Sequence, residues 1–96
     1  MKYLGIDVSK EKLDCCLLRD AGGTKRKTKV VANSPAGLVT LLSLVEKEGI
    51  LPDELHVIME GTGVYHQLAA ETLSDAGMMV SIANPAQVKD FGAGWQ

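Results

Sequence analysis

The sequence predicts one α/β domain over residues 1–96, built on a mixed five-stranded sheet with the element order βββαβαβα. Two observations predict it. Two short apolar segments and a third segment that ends on the β-branched pair Val30 and Val31 open the chain, and only turn residues separate them, which is typical of an antiparallel meander. The later apolar segments alternate with segments of helical spacing, which is typical of parallel strands joined by crossover helices. A chain of 96 residues suffices for one such core.

The first three strands are predicted at residues 3–8, 13–18 and 25–32. The polar residues 9–11 and the glycine-containing stretch 20–24 separate them, and both have turn composition. The adjacent cysteines, Cys15 and Cys16, fall on the second strand. Neighbours on a strand point to opposite faces, so we expect these two thiols neither to pair with each other nor to bind one metal ion.

The first helix is predicted to begin at Pro35, after a capping residue at Asn33 or Ser34. Four apolar residues at helical spacing form one stripe along it: Leu38, Leu41, Leu42 and Val45. Gly49 is placed to end the helix.

The fourth strand is predicted at residues 55–59 and is followed by Glu60, and the fifth is predicted at residues 78–83. A second helix, opened by the glycine-containing turn 61–63, lies between them. A third helix starts at the Asn-Pro pair 84–85 and runs toward Phe91. With right-handed crossovers, this order predicts the RNase H-like arrangement.

Two carboxylates, Asp7 and Glu60, stand at the ends of the first and fourth predicted strands. In this topology the two strands are parallel neighbours, so the side chains are expected to meet at the carboxyl edge of the sheet. Adjacent carboxylates repel, and a divalent cation such as Mg²⁺ relieves the repulsion. Metal-assisted phosphodiester chemistry is therefore one interpretation. A pair of solvated strand ends is the alternative that spacing alone leaves open.

Three blocks of the chain resemble the insertion-sequence transposases that have a RuvC-like Asp-Glu-Asp-Asp domain. They read GIDVSK at residues 5–10, MEGTGVYH at residues 59–66 and ANPAQVK at residues 83–89. The resemblance covers nearly the whole chain. It implies that Asp7 and Glu60 are catalytic ligands of Mg²⁺ or Mn²⁺, and that the full-length protein cleaves and transfers DNA strands.

The same resemblance implies binding partners, and this sequence departs from the family's pattern in one respect. The expected partners are DNA, a structured guide RNA in the full-length protein and further copies of the chain. The family's third and fourth acids come as Asp-x-x-Asp, and no such motif occurs in these 96 residues. We therefore expect a fragment that ends before the Asp-x-x-Asp helix and is inactive alone. The resemblance also implies a separate serine-containing domain, which we expect to lie outside these 96 residues.

Five further residues are candidates for nucleic-acid contact: Lys25, Lys27, Lys29, Ser9 and Thr62. The three lysines are predicted on one face of the third strand, where they contact a phosphate backbone or protect a sheet edge from aggregation. The Ser9 hydroxyl either orients a metal-bound water or forms hydrogen bonds within the turn. Thr62 lies between two glycines, which either form a phosphate-cradling turn at a helix N-terminus or let the backbone or a substrate approach closely beside Glu60. Asp14 is a candidate supporting acid.

The net charge of −2 gives no overall attraction for nucleic acid, so any contact must come from a local basic patch. The N-terminus has no long apolar segment, which favours a cytoplasmic protein without a membrane span. Two other functions stay open. One is an actin-like or sugar-kinase-like ATPase fragment, although no glycine follows Asp7 to approach a phosphate. The other is a non-enzymatic docking domain.

Overall fold

The computed structural model describes residues 2–18, 26–61 and 64–83. The elements follow in this order: β1 Lys2–Val8, β2 Lys12–Leu18, β3 Arg26–Ala32, α1 Pro35–Lys47, a short 3-10 helix Pro52–Glu54, β4 Leu55–Glu60, α2 Gln67–Asp75 and β5 Met79–Ala83. The helix predicted from residue 84 onward lies outside the described residues. Up to that point the observed order matches the predicted one.

The five strands form one sheet in the order β3-β2-β1-β4-β5. The β1–β2 and β2–β3 pairs are antiparallel, whereas β1–β4 and β4–β5 are parallel. The sheet is therefore mixed, as predicted. The antiparallel meander supplies one half, and the helix-linked strands extend it beyond β1.

One face of this sheet, called the covered face, carries the core. The side chains of α1 and α2 bury their apolar stripes against alternate residues of the strands, which explains the spacing in the sequence. The buried helix residues are Leu38, Leu41 and Val45 from α1, with Ala69 and Leu73 from α2. Cys15 is buried on the covered face and Cys16 is half-buried on the other, so the two adjacent cysteines point to opposite faces, as predicted.

The junction between β3 and α1 is tightly packed. The Ser34 side chain caps α1 by accepting a hydrogen bond from the backbone N–H of Gly37 at 3.1 Å. A Cβ atom on Gly37 would lie only 1.8 Å from the carbonyl oxygen of Ala32. Only glycine allows the first turn of the helix to approach the end of the strand so closely.

Helix α2 begins later than predicted. Residues 64–66 form a turn, and the helix starts at Gln67 instead of directly after residues 61–63. Gly61, which follows β4, packs against the end of β1. None of the helices in the described ranges has the length and apolar character needed to cross a membrane.

Candidate metal site at the open sheet face

The face opposite the core, called the open face, carries the two predicted acids. Asp7 and Glu60 are register partners in the parallel β1–β4 pair, so their side chains point to the same face of the sheet. Both are exposed, and neither α1 nor α2 packs on this face. Neighbouring strands lie about 4.8 Å apart, so the two carboxylates extend from adjacent backbone positions on this face.

A third acid extends this pair. Asp14 on β2 is the register partner of Asp7 in the antiparallel β1–β2 pair, so Asp14, Asp7 and Glu60 form a row across three adjacent strands. This set is called the carboxylate row. A shallow groove of about 410 Å³ runs beside it. The groove is lined by Tyr3, Gly5, Ile6, Asp7, Asp14, Cys16, Leu18, Ile58 and Glu60.

The donor chemistry of Asp7 and Glu60 fits a hard divalent cation, because Mg²⁺ and Mn²⁺ prefer carboxylate oxygens and water. The set is partial. In the part of the chain that the structure describes, no three His, Cys, Asp or Glu side chains converge closely enough to hold one ion. Asp7 and Glu60 would thus provide two ligands, and Asp14 adds negative charge beside them.

The Cys15 thiol does not belong to this site, although it neighbours Asp14 in sequence. Its side chain points into the core, where burial raises the pKa of the thiol to about 11 and the Asp14 carboxylate acts in the same direction. A thiol with so high a pKa stays protonated at neutral pH and is a poor metal ligand.

Gly61 brings the chain beyond Glu60 against the end of β1. A Cβ atom at this position would lie 2.8 Å from the carbonyl oxygen of Val8. This confirms that a glycine beside Glu60 allows a close backbone approach. Thr62, the proposed nucleic-acid contact between the two glycines, lies outside the described residues.

Ser9 uses its hydroxyl inside the β1–β2 turn. It donates a hydrogen bond to the carbonyl oxygen of Lys12 at 2.9 Å, and the backbone N–H of Lys12 donates back to Ser9 Oγ at 3.4 Å. Of the two interpretations of Ser9 in the sequence, the structure places the hydroxyl in the turn.

Asn33 has a role that the sequence analysis missed. Its side-chain nitrogen donates hydrogen bonds to the carbonyl oxygens of Ser9 and Tyr65, both at 2.9 Å. One amide therefore joins the turn after Asp7 to the segment after Glu60. The sequence had suggested Asn33 only as one of two possible caps of α1. The structure assigns that cap to Ser34, so the Asn33 side chain is not needed for capping.

The predicted lysine cluster lies away from the acids. Lys27 and Lys29 are register partners of the inward-facing Leu17 and Cys15, so they point to the side of the covered face, opposite to Asp7 and Glu60. Lys27 Nζ also lies 2.6 Å from Glu48 Oε2. β3 is an edge strand. Lys25 lies outside the described residues.

Comparisons with solved structures agree with the observed fold. RuvC from Thermus thermophilus in complex with a Holliday junction substrate superposes with a TM-score of 0.59 at 18% identity, covering 94% of this chain and 70% of that one. A second T. thermophilus RuvC structure gives a TM-score of 0.57 at 20% identity, covering 98% of this chain and 70% of that one. The fold is therefore RNase H-like and RuvC-like, as the sequence predicted.

Comparisons of sequence identify the family. The pilin gene-inverting protein of Moraxella lacunata is 27% identical over 89 residues, which are 93% of this chain and 27% of that protein. The chain thus spans about a quarter of the length of this relative. A family model described as a transposase, of the IS110 type with a DEDD site, matches residues 4–94. The chain belongs to the IS110-type transposase family with a RuvC-like DEDD domain.

Proposed function

We propose that this chain supplies part of a divalent-metal site for DNA strand cleavage and transfer, in which Asp7 and Glu60 are the first two acidic ligands. The observation that carries the proposal is their register pairing on adjacent parallel strands of the open face. The names of the relatives support DNA as the substrate class, since one inverts a pilin gene and the other is bound to a Holliday junction. Neither ATP hydrolysis nor passive docking gains support from these relatives.

The geometry suggests how the chain's own residues would act. Asp7 and Glu60 would hold the cation, and a phosphodiester could approach it on this face, where neither α1 nor α2 packs. A divalent ion bound there would activate the attacking oxygen and stabilise the charge on the leaving oxygen. Without such an ion, the carboxylate row repels phosphate, so DNA approach to this face should depend on metal.

The finer assignments belong to the same proposal. We infer Mg²⁺ as the physiological ion with Mn²⁺ as a substitute, a cytoplasmic location, and assembly with further copies of the chain and with a guide RNA in the full-length protein. Lys25, Lys27, Lys29, Ser9 and Thr62 remain candidates for nucleic-acid contact. With no Asp-x-x-Asp motif among the 96 residues, we expect no turnover on branched DNA.

The direct test is a titration of the chain with Mn²⁺ in which electron paramagnetic resonance measures the bound ion. Asp7→Asn and Glu60→Gln should each remove saturable binding, because each replaces a charged oxygen ligand with a neutral amide. Glu71→Gln is the matched control, since Glu71 is an exposed carboxylate on α2. Binding that is equal in all four proteins would refute the proposed site.

A further inference from the structure

Asn33 is placed between two elements and serves neither of them with its side chain. It follows the last residue of β3 and precedes Ser34, which caps α1. Its backbone N–H donates to the carbonyl oxygen of Glu11 at 2.9 Å, which fixes the residue beside the β1–β2 turn. The side-chain amide is thereby free to make contacts with other segments.

The two contacts of this amide lie just beyond the two proposed metal ligands. Ser9 is two residues after Asp7, and Tyr65 is five residues after Glu60. Nδ2 has two hydrogens, so it can satisfy both carbonyl oxygens at once. The hydrogen bonds therefore connect the two chain segments that leave the carboxylate row.

The connection matters because the sheet stops at this point. Among the described residues, the register pairs of the parallel β1–β4 ladder end with Asp7 and Glu60. Beyond that pair, the close approach of Gly61 to Val8 and the two hydrogen bonds of the Asn33 amide join the segments. The two carboxylates belong to the last register pair before these contacts.

We propose that Asn33 is a positioning residue that fixes the distance between the Asp7 and Glu60 carboxylates and thereby raises the affinity of the site for a divalent cation. This inference rests on the proposed function. Groups that orient metal ligands typically change metal affinity by about 10–100-fold. We expect a change near the lower limit, about tenfold, because the β1–β4 pairing itself remains.

The test compares Mn²⁺ dissociation constants of the chain and of the variants Asn33→Ala and Asn33→Asp. Asn33→Asp keeps the shape, removes the donor and adds a negative charge. A charge effect alone would tighten cation binding, whereas loss of positioning should weaken it about tenfold. Gln67→Ala, at an exposed amide on α2, is the control and should bind as the parent does.

A merely structural role predicts a different result. The variants would then unfold at a lower temperature without metal, but the folded protein would bind Mn²⁺ with the parent affinity. Parental or tighter binding by Asn33→Asp overturns the inference about Asn33 and leaves the proposed function intact. If the parent chain shows no Mn²⁺ binding that is lost in Asp7→Asn, both the inference about Asn33 and the proposed function are overturned.

A second measurement uses the unmodified chain, in case the variants do not fold. Coupling between two equilibria is reciprocal, so a clamp that strengthens metal binding is itself strengthened by metal. The side-chain NH₂ protons of Asn33 should therefore exchange with solvent about tenfold more slowly when Mg²⁺ saturates the site. Exchange rates that Mg²⁺ leaves unchanged would contradict the proposal.

Discussion

The covered and open faces come from the same five strands, yet they have opposite physical characters. On β1, Leu4, Ile6 and Val8 point into the core, while Tyr3, Gly5 and Asp7 point to the open face. The covered face gains its free energy from the removal of apolar surface from water. The open face keeps charged groups in contact with solvent. Stability and chemistry are thus separated by the parity of residue position along each strand.

The largest effect that tests this division is expected in the core. Leu41 is fully buried on α1 and Val39, two residues earlier, is 62% exposed. Leu41→Ala should reduce the free energy of unfolding by about 2–5 kcal/mol, because it leaves a cavity. Val39→Ala should change it by less than about 0.5 kcal/mol. Urea denaturation measures both, and similar losses would break the comparison.

The second effect concerns the buried thiol. Because burial raises the pKa of Cys15 to about 11 from 9.0, the folded state retains a proton that the unfolded state releases between these values. Stability is therefore full below pH 9 and falls as the pH rises toward 11, by up to about 1.4 kcal/mol per pH unit.

Unfolding measured from pH 8 to 11 tests this expectation. Cys15→Ala should lack the additional slope, and Cys16→Ala, at the half-buried neighbour on the open face, should retain it. A parent chain and a Cys15→Ala variant with parallel pH profiles would show that the thiol is not the cause.

A smaller effect is expected at the carboxylate row. Asp7→Asn should leave the free energy of unfolding unchanged or raise it by up to about 0.5 kcal/mol, since it removes repulsion within the row. The same variant should lose Mn²⁺ binding. This combination distinguishes the two faces, because a substitution on the covered face is expected to lower the free energy of unfolding. A loss of several kcal/mol would mean that the open face also holds the fold together.

The smallest effect on the metal site is expected from the lysines. Replacement of Lys25, Lys27 and Lys29 by alanine should leave Mn²⁺ affinity unchanged, since Lys27 and Lys29 lie on the side of the sheet opposite to the acids. If these residues contact a phosphate backbone, the slope of log DNA affinity against log salt concentration should become less steep by about 0.9 for each contact removed. An unchanged salt slope would leave only the protection of the β3 edge as their role.

Much of the fold could be predicted because strand alternation and helix caps are local signals. The buried strands and the start of α1 at Pro35 follow from such patterns, whereas the parallel pairing of β1 with β4 was inferred from the order of the elements. The close approach of Gly61 to Val8 could not be predicted, because these two residues are far apart in sequence. The two hydrogen bonds of Asn33 are long-range for the same reason.

The sequence only partly indicated which face of the sheet carries Lys27 and Lys29. Lys27, Lys29 and the apolar Val31 share one parity, and Val31 is buried. Val30 is equally apolar and has the opposite parity, so the sequence alone left the choice of face undecided. The pairing of β3 with β2 determines it.

The parallel pairing of β1 with β4 also constrains the order of folding. The meander can form by short turns, whereas Asp7 and Glu60 meet only after the chain between them has closed, and loop-closure entropy makes such long-range pairing slow. A cation that bridges these acids would therefore stabilise contacts acquired late in folding. Its expected kinetic signature is slower unfolding with little change in the folding rate.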